Sequence, residues 1–363
     1  MTRTTNRMIA LLLVLAFCGS IMVNARMADA DGTKVYEVTY ATENLSTPIS
    51  WVQSPYFNHP QYKETRFENY NNNAPIPPGG EHETAFYMVY REDGLYMFFQ
   101  SAEPGVDDNG DPLENWLEIY IAAGEGDIPY HQIIIPTSGS PIEYYEWQTE
   151  FRHNRPLEGS VKIDSEPIPG GWGTVVILPW EAVYDSVPIN GGNWQFNLIR
   201  WSPVDGQTWG GKVHQTGRFN QLQFQPPTPE QRMAIQKHVL TKAWNKFQST
   251  SEALTEYWLI NPATSETAFY HRVVLPLLVK GLAHGVQMRD LDRLNAQQVD
   301  HLFRQVPNWM ELRYNVDDQR QRYIRNQLLH GNPPSSVTDA TYDARSNTLS
   351  ANGYIRSPSS KYA

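Results

Sequence analysis

The apolar residues of this chain change their period once, and that change constrains the fold more than any other feature. Up to residue 225 they recur at every second position in short runs, and after Pro226-Pro227 they recur at every third or fourth. Period two puts alternate side chains on one face of a strand, whereas period 3.6 lines them along one stripe of a helix, so the chain carries two kinds of core. Residues 84–89 and 95–100 are β-branched or aromatic runs on either side of Arg91-Glu92-Asp93-Gly94, whose Asp-Gly supplies a hairpin turn. In 116–121, Leu117, Ile119 and Ile121 alternate with Trp116, Glu118 and Tyr120. Residues 131–135, 174–178, 194–199 and 221–224 are further strands between Gly, Pro and Asn. Many short strands with such turns predict a mainly β fold, an antiparallel β-sandwich with jelly-roll or immunoglobulin-like layers, over residues 31–227.

A C-terminal α-helical region is expected over 228–331. Thr228-Pro229-Glu230-Gln231 combines a capping hydroxyl, a proline at the first helical position and a Gln three residues after the cap. Leu240, Ala243, Trp244 and Phe247 then share one face. The pair Asn295 and Gln298 repeats the capping pattern before Val299, Leu302, Phe303 and Val306. Residues 332–363, rich in Ser, Asn, Pro and Thr, are expected to form a mobile tail, and 69–80 a loop.

Residues 1–30 carry the parts of a secretory signal: Arg3 and Arg7, an apolar run over 8–17, and Ala28-Asp29-Ala30. Cleavage after Ala30 is the expectation, with a secreted or periplasmic mature chain. The apolar run is interrupted by Gly19 and Ser20, short of the about 20 residues of a membrane span. Cys18 admits a second reading as a lipid-attachment site, although bulky Phe17 precedes it. Cleavage leaves no cysteine, so the cores must hold the fold without a disulfide. Residues 31–227 carry 10 Lys and Arg against 26 Asp and Glu, net −16, while 228–331 carry 13 against 10, net +3. An acidic first part argues against nucleic acid and anionic membrane surfaces, which need a basic patch, and suits neutral ligands.

No motif selects an enzyme. The ten His show no close metal spacing, and there is no G-x-S-x-G and no phosphate loop. A glycosidase needs two carboxylates about 5 to 9.5 Å apart, and Glu143 with Glu146 or Glu114 with Glu118 are pairs that any acidic surface would offer. Asp107, Asn109 and Asp111 are spaced like the start of a Ca²⁺ loop, but Pro112 stands where such a loop wants Gly. A weak Ca²⁺ site and a solvated acidic turn are the two readings of this segment. Sugar binding needs aromatic faces and planar hydrogen-bond partners, and eleven Trp supply many candidates. Trp116, Trp147 and Trp209 fall on loops or opposite the apolar row, whereas Trp172, Trp180 and Trp194 read as packing. Trp116 shares its strand face with Glu118 and Tyr120 and is the first choice. Arg200, with Asn197 nearby, offers a bidentate fork to a ligand or an ion pair to one of the acids.

Four blocks in order carry a family resemblance. They are the hairpin ending at Leu95-Tyr96-Met97-Phe98-Phe99 with Glu103-Pro104, then Asn115 to Ile121, then Gly171-Trp172-Gly173 through Val175 to Pro179-Trp180, and last Trp194 to Asn197 with Arg200, His214, Phe219 and Leu222. Together they resemble a carbohydrate-binding module of family 9 and the wider DOMON-like sandwiches. The resemblance implies a sugar-binding β-sandwich of a polysaccharide-binding or polysaccharide-degrading system, in which two tryptophans clamp a terminal sugar beside an acid and an Arg. The acid falls on Glu118, and the Arg position is Ile134. The clamp positions fall near Pro112 or Leu113 and near Val213 or His214, and Asn115 stands where an Asp is typical. The implied ligand-binding residues, joined to those read from the pattern, are Trp116, Glu118, Tyr120, Trp147, Arg200, Trp209 and His214, with a neutral glycan as ligand and a polysaccharide-degrading enzyme as partner. Three alternatives stand beside this: a haem-binding electron-transfer module with Met88, Met97, His131 and His214 as available ligands, a scaffold that has lost its sugar site, and a glycoside hydrolase accessory.

Overall fold

The computed structural model describes residues 32–77, 83–101, 115–126, 129–136, 142–148, 151–153, 161–184, 186–202, 206–260, 271–272, 275–310, 335–343 and 348–355. The secretory segment with Cys18, and Asp107, Asn109 and Asp111, lie outside these residues. The chain divides into two compact units, residues 1–235 and 236–363.

The first unit is built on strands. β1 (Val35–Tyr40), the short helix α1 (Pro48–Val52) and β2 (Glu68–Asn69) precede the expected hairpin of β3 (Thr84–Tyr90) and β4 (Gly94–Ser101). β5 (Trp116–Ala122), β6 (Tyr130–Pro136), β7 (Glu143–Gln148) and β8 (Phe151–His153) follow as an antiparallel meander. β9 (Lys162–Ile168), β10 (Gly171–Pro179), β11 (Gly192–Trp201), β12 (Gly206–Thr208) and β13 (Asn220–Phe224) complete the set. The hairpin turn closes with Arg91 N–H donating to Gly94 O at 2.9 Å. Gly94 is required there because β10 passes close by: a Cβ on it would stand 2.5 Å from Leu178 O.

These strands form one sheet in the order β8-β7-β6-β5-β11-β13-β1-β3-β4-β10-β9, with β12 and β2 attached beside β11. The sheet is mixed, where a wholly antiparallel one was expected. β1 runs parallel to β13 through residues 35–38 and parallel to β3 through residues 39–40. Alternation reports which face a side chain takes and not which way a strand runs, and β1 belongs to no hairpin that would set its direction. The sheet also folds back on itself. At about 4.8 Å per strand, β10 would lie on the order of 24 Å from β11 in a flat sheet, yet the rings of Trp180, next to β10, and Trp194, on β11, have centroids 6.2 Å apart. Inside the fold Phe86 meets Phe196 at 5.7 Å and Trp209 at 5.1 Å. On the other face of the β3–β4 hairpin, Trp51 of α1 stacks on Phe98 at 5.6 Å.

The helices are α2 (Pro229–Ile260), α3 (Leu275–Leu282), α4 (Gly285–Arg289) and α5 (Ala296–Phe303). Both expected capping boxes form: Thr228 and Gln231 exchange backbone-to-side-chain bonds of 2.9 and 3.3 Å, and Asn295 and Gln298 do so at 3.0 Å each. Leu240, Ala243 and Phe247 are buried, as are Val299, Leu302 and Val306. Within residues 332–363, read as a mobile tail, β14 (Ser335–Asp343) and β15 (Thr348–Ile355) pair as an antiparallel ladder. Val337, Thr338, Thr341 and Tyr342 in one segment and Thr348, Leu349, Tyr354 and Ile355 in the other are the β-branched, aromatic and apolar content that strands favour, which the overall polarity obscured.

Candidate functional site

The strand face that carries Trp116, Glu118 and Tyr120 continues across its neighbours. The register pairs these three with Trp201, Ile199 and Asn197 of β11. On the other side Glu118 pairs with Ile134 and Tyr120 with Gln132 of β6. Gln132 then pairs with Tyr145 of β7, and Tyr130 with Trp147. Directly opposed residues share a face, so these side chains line one surface while Leu117, Ile119 and Ile121 are buried on the other.

A chain of hydrogen bonds runs through the middle of this surface. Trp201 Nε1 donates to Glu118 Oε2 at 2.7 Å, and Gln132 Nε2 donates to Glu118 Oε1 at 2.6 Å and to the Tyr120 hydroxyl at 3.0 Å. Trp147 Nε1 donates to Gln132 Oε1 at 2.9 Å. One carboxylate–amide pair thus holds an indole on each side. A carboxylate has about four acceptor sites, so Glu118, which accepts from Gln132, Trp201 and the Tyr120 hydroxyl, keeps about one for a ligand hydroxyl. Burial, and then the Glu118 charge, push the Tyr120 phenol far above its ordinary range, so it stays neutral.

Rings enclose this polar centre. Trp147 lies parallel to Tyr130 at 6.0 Å, and His214 packs 4.3 Å from Trp147 with Nδ1 2.8 Å from the Tyr130 hydroxyl. His214 and Phe219 also meet Tyr120, at 5.7 and 5.4 Å. At the other end Tyr70 packs on Trp201 at 4.6 Å, Trp116 lies 6.0 Å from Trp201, and Lys212 Nζ sits 4.2 Å over the Tyr70 ring. The sequence pattern leaves open whether this face is bare. The structure covers part of it: Glu118 is only 8% exposed and Tyr120 is wholly buried, while Trp116, Trp147 and Trp201 are half-buried at the surface.

The loop bearing His214 is tied to the sheet by Asn197. Its Oδ1 accepts from Gly210 N–H at 2.7 Å and from Thr208 Oγ1 at 3.1 Å. Gly210 leaves room for Asn220, whose backbone nitrogen would lie 2.8 Å from an added Cβ. His214 itself has φ +58°, a left-handed conformation that non-glycine residues seldom take and that directs its ring back over Trp147.

Five of the seven residues singled out from the sequence therefore meet here: Trp116, Glu118, Tyr120, Trp147 and His214. Arg200 does not, because it pairs with Leu117 across the ladder and so faces the interior, where Nη1 donates to Thr84 Oγ1 at 3.4 Å. Trp209 is wholly buried against Phe86 and Phe196. Trp201, Gln132, Tyr130 and Tyr70 join the site without having been singled out. Gln132 had a signal, a lone amide before the apolar Ile133-Ile134-Ile135, and it takes the place beside Glu118 that apolar Ile134 cannot fill. Of the residues offered as haem ligands, Met88 and Met97 pair in the buried interior and His131 also faces inward, whereas His214 lies on the outer surface. Glu143 and Glu146, three positions apart on β7, point to opposite faces and cannot share a cleft. Glu114 lies outside the described residues. Among those residues no three His, Cys, Asp or Glu are grouped to hold a metal, and no helix is long and apolar enough to cross a membrane.

No family model and no curated protein matches the chain. Solved structures do resemble it. One is a candidate carbohydrate-binding protein from Bacteroides uniformis, 15% identical, covering 53% of this chain and 100% of its own, with a TM-score of 0.37. Another is a family 9 carbohydrate-binding module from Caldicellulosiruptor kristjanssonii in complex with cellotriose, 12% identical over 54% of this chain and 95% of that one, with a TM-score of 0.34. A third, a family 9 module from the same organism with glucose, is 11% identical over 54% and 97%, with a TM-score of 0.31.

Proposed function

We propose that the chain is an exported, non-catalytic carbohydrate-binding protein that serves a polysaccharide-binding or polysaccharide-degrading system, with a neutral glycan as its ligand. The observation that carries this reading is the Glu118–Gln132 pair set between the half-exposed indoles of Trp147 and Trp201. An indole face stacks on the apolar face of a pyranose ring, and the fixed carboxylate accepts from its hydroxyls. Both are oriented before the ligand arrives, which limits the ordering cost of binding. A non-catalytic role suits a surface on which the central carboxylate is engaged by three neutral donors and the acids Glu143 and Glu146 are split between faces. Export follows from the A-x-A exit at Ala28-Asp29-Ala30.

A glycan array with the mature chain, followed by calorimetry on the best ligand, tests the proposal. Glu118→Gln keeps the shape, removes the charge and sets an amide N–H₂ against one of the two N–H donors, Gln132 or Trp201. Hydrogen bonds to charged groups exceed neutral ones by roughly 1 to 1.5 kcal/mol, so affinity should fall about tenfold. An array with no glycan bound, or a variant that binds as well as the parent, refutes the assignment. Intact mass of the exported protein checks the expected start at Asp31.

A further inference from the structure

We infer that the surface takes an extended stretch of a glycan chain, several sugar residues long, with Tyr145 as an outer contact; this rests on the sugar-binding reading above. The aromatic residues do not gather around one point. Trp201 lies on β11, Trp116 on β5, and Tyr145 and Trp147 on β7, and all four are half-buried with part of their surface in solvent. Three strand-to-strand steps of about 4.8 Å separate β11 from β7, so the row is on the order of 14 Å wide, longer than one sugar ring. Its floor is continuous: Glu118, Gln132 and half-buried Ile134 lie between the ends and share the face.

Tyr145 fits the role of an outer station. It pairs with Gln132 across the ladder, so its ring stands beside the amide that orients Glu118. Its hydroxyl donates to the exposed Glu143 carboxylate, which holds the ring in place and sets a second acceptor along the same path. Trp147, two residues along the strand, shares the face about 6.6 Å away. A run of rings with acceptors between them recognises repeated pyranose faces and hydroxyls, and one terminal sugar would leave part of it unused.

The test compares the full mature chain on glucose, xylose and mannose with the corresponding tetrasaccharides cellotetraose, xylotetraose and mannotetraose, by calorimetry. In the series that binds, the tetrasaccharide should bind at least about tenfold tighter than its monosaccharide, since each added ring contact is worth roughly threefold to tenfold. Tyr145→Ala should shrink that ratio by roughly threefold to tenfold. A tetrasaccharide that binds no tighter than the monosaccharide in the parent protein overturns the extended site while leaving sugar binding intact, and needs no variant to fold. An unchanged ratio in Tyr145→Ala overturns the place of Tyr145. No binding in any series removes the sugar-binding reading itself and this inference with it.

Discussion

Replacing Gln132 with Leu tests the centre of the site most directly. The substitution conserves size and removes three hydrogen bonds: to Glu118 at 2.6 Å, to the Tyr120 hydroxyl at 3.0 Å, and from Trp147 at 2.9 Å. The two neutral bonds contribute about 0.5 to 1.5 kcal/mol each and the bond to the carboxylate about 1.5 to 3. Burying the added leucine carbons, next to a site only 5% exposed, returns about 1 to 2 kcal/mol. The expected net loss is about 0.5 to 5 kcal/mol, read in urea as a lower midpoint with unchanged slope. Sugar affinity should fall as well, because Trp147 and Glu118 lose the group that orients both. A double-mutant cycle with Trp147→Phe, which removes the indole N–H together with part of the ring, should show coupling of at least about 0.5 kcal/mol. A loss below about 0.5 kcal/mol for Gln132→Leu, with additive effects in the cycle, would mean that the bridge between the two tryptophans is not made in solution.

Three further outcomes follow from other parts of the fold. Leu117→Ala, on the interior face of β5, should cost about 2 to 5 kcal/mol through a cavity, and calorimetric melting checks it; an unchanged melting temperature would mean that the two faces of β5 are exchanged. Asn197→Ala removes the acceptor for Gly210 N–H and Thr208 Oγ1, so about 1 to 3 kcal/mol should be lost and hydrogen exchange at residues 208–214 should accelerate; protection equal to the parent's would refute the anchoring role. Burial raises the Tyr130 phenol from 10.0 to about 12, and burial followed by the Glu92 carboxylate does the same for Tyr40. With folded values above unfolded ones, the stability these groups contribute is complete below pH 10 and lost as pH rises toward about 12. Denaturant midpoints that stay flat across that window would contradict this.

How much of this was legible in the sequence depends on whether a feature is local or set by register. Local rules carried well: Asp93-Gly94 closes the β3–β4 hairpin, the two capping boxes form as written, and the alternation in β5 separates Leu117, Ile119 and Ile121 from Trp116, Glu118 and Tyr120. What failed was assignment across strands. Arg200 and Trp201 are adjacent in sequence, and both are chemically suited to a sugar site. Pairing Trp201 with Trp116, and so Arg200 with Leu117, sends the indole to the site and the guanidinium to the interior. A shift of one residue would exchange them, and nothing in β11 alone states the register.

The same argument explains why Trp201 and Gln132 were missed while Glu118 and Trp147 were found. Glu118 stood out because it shares a strand face with Trp116 and Tyr120, opposite the apolar row, and because the family resemblance places an acid there; both signals lie within a single strand. The Trp147–Gln132–Glu118–Trp201 chain draws one residue from each of β7, β6, β5 and β11, so it exists only once three ladders are in register. Gln132 is the link on which the others depend: its amide is the one group that both donates to the carboxylate and accepts from an indole, which an arginine in its place could not do because a guanidinium has no acceptor. Gln132 therefore both orients Glu118 and accepts from Trp147. The Trp147 indole and the Glu118 carboxylate are therefore joined through one side chain, while Trp201 holds the carboxylate from the other side.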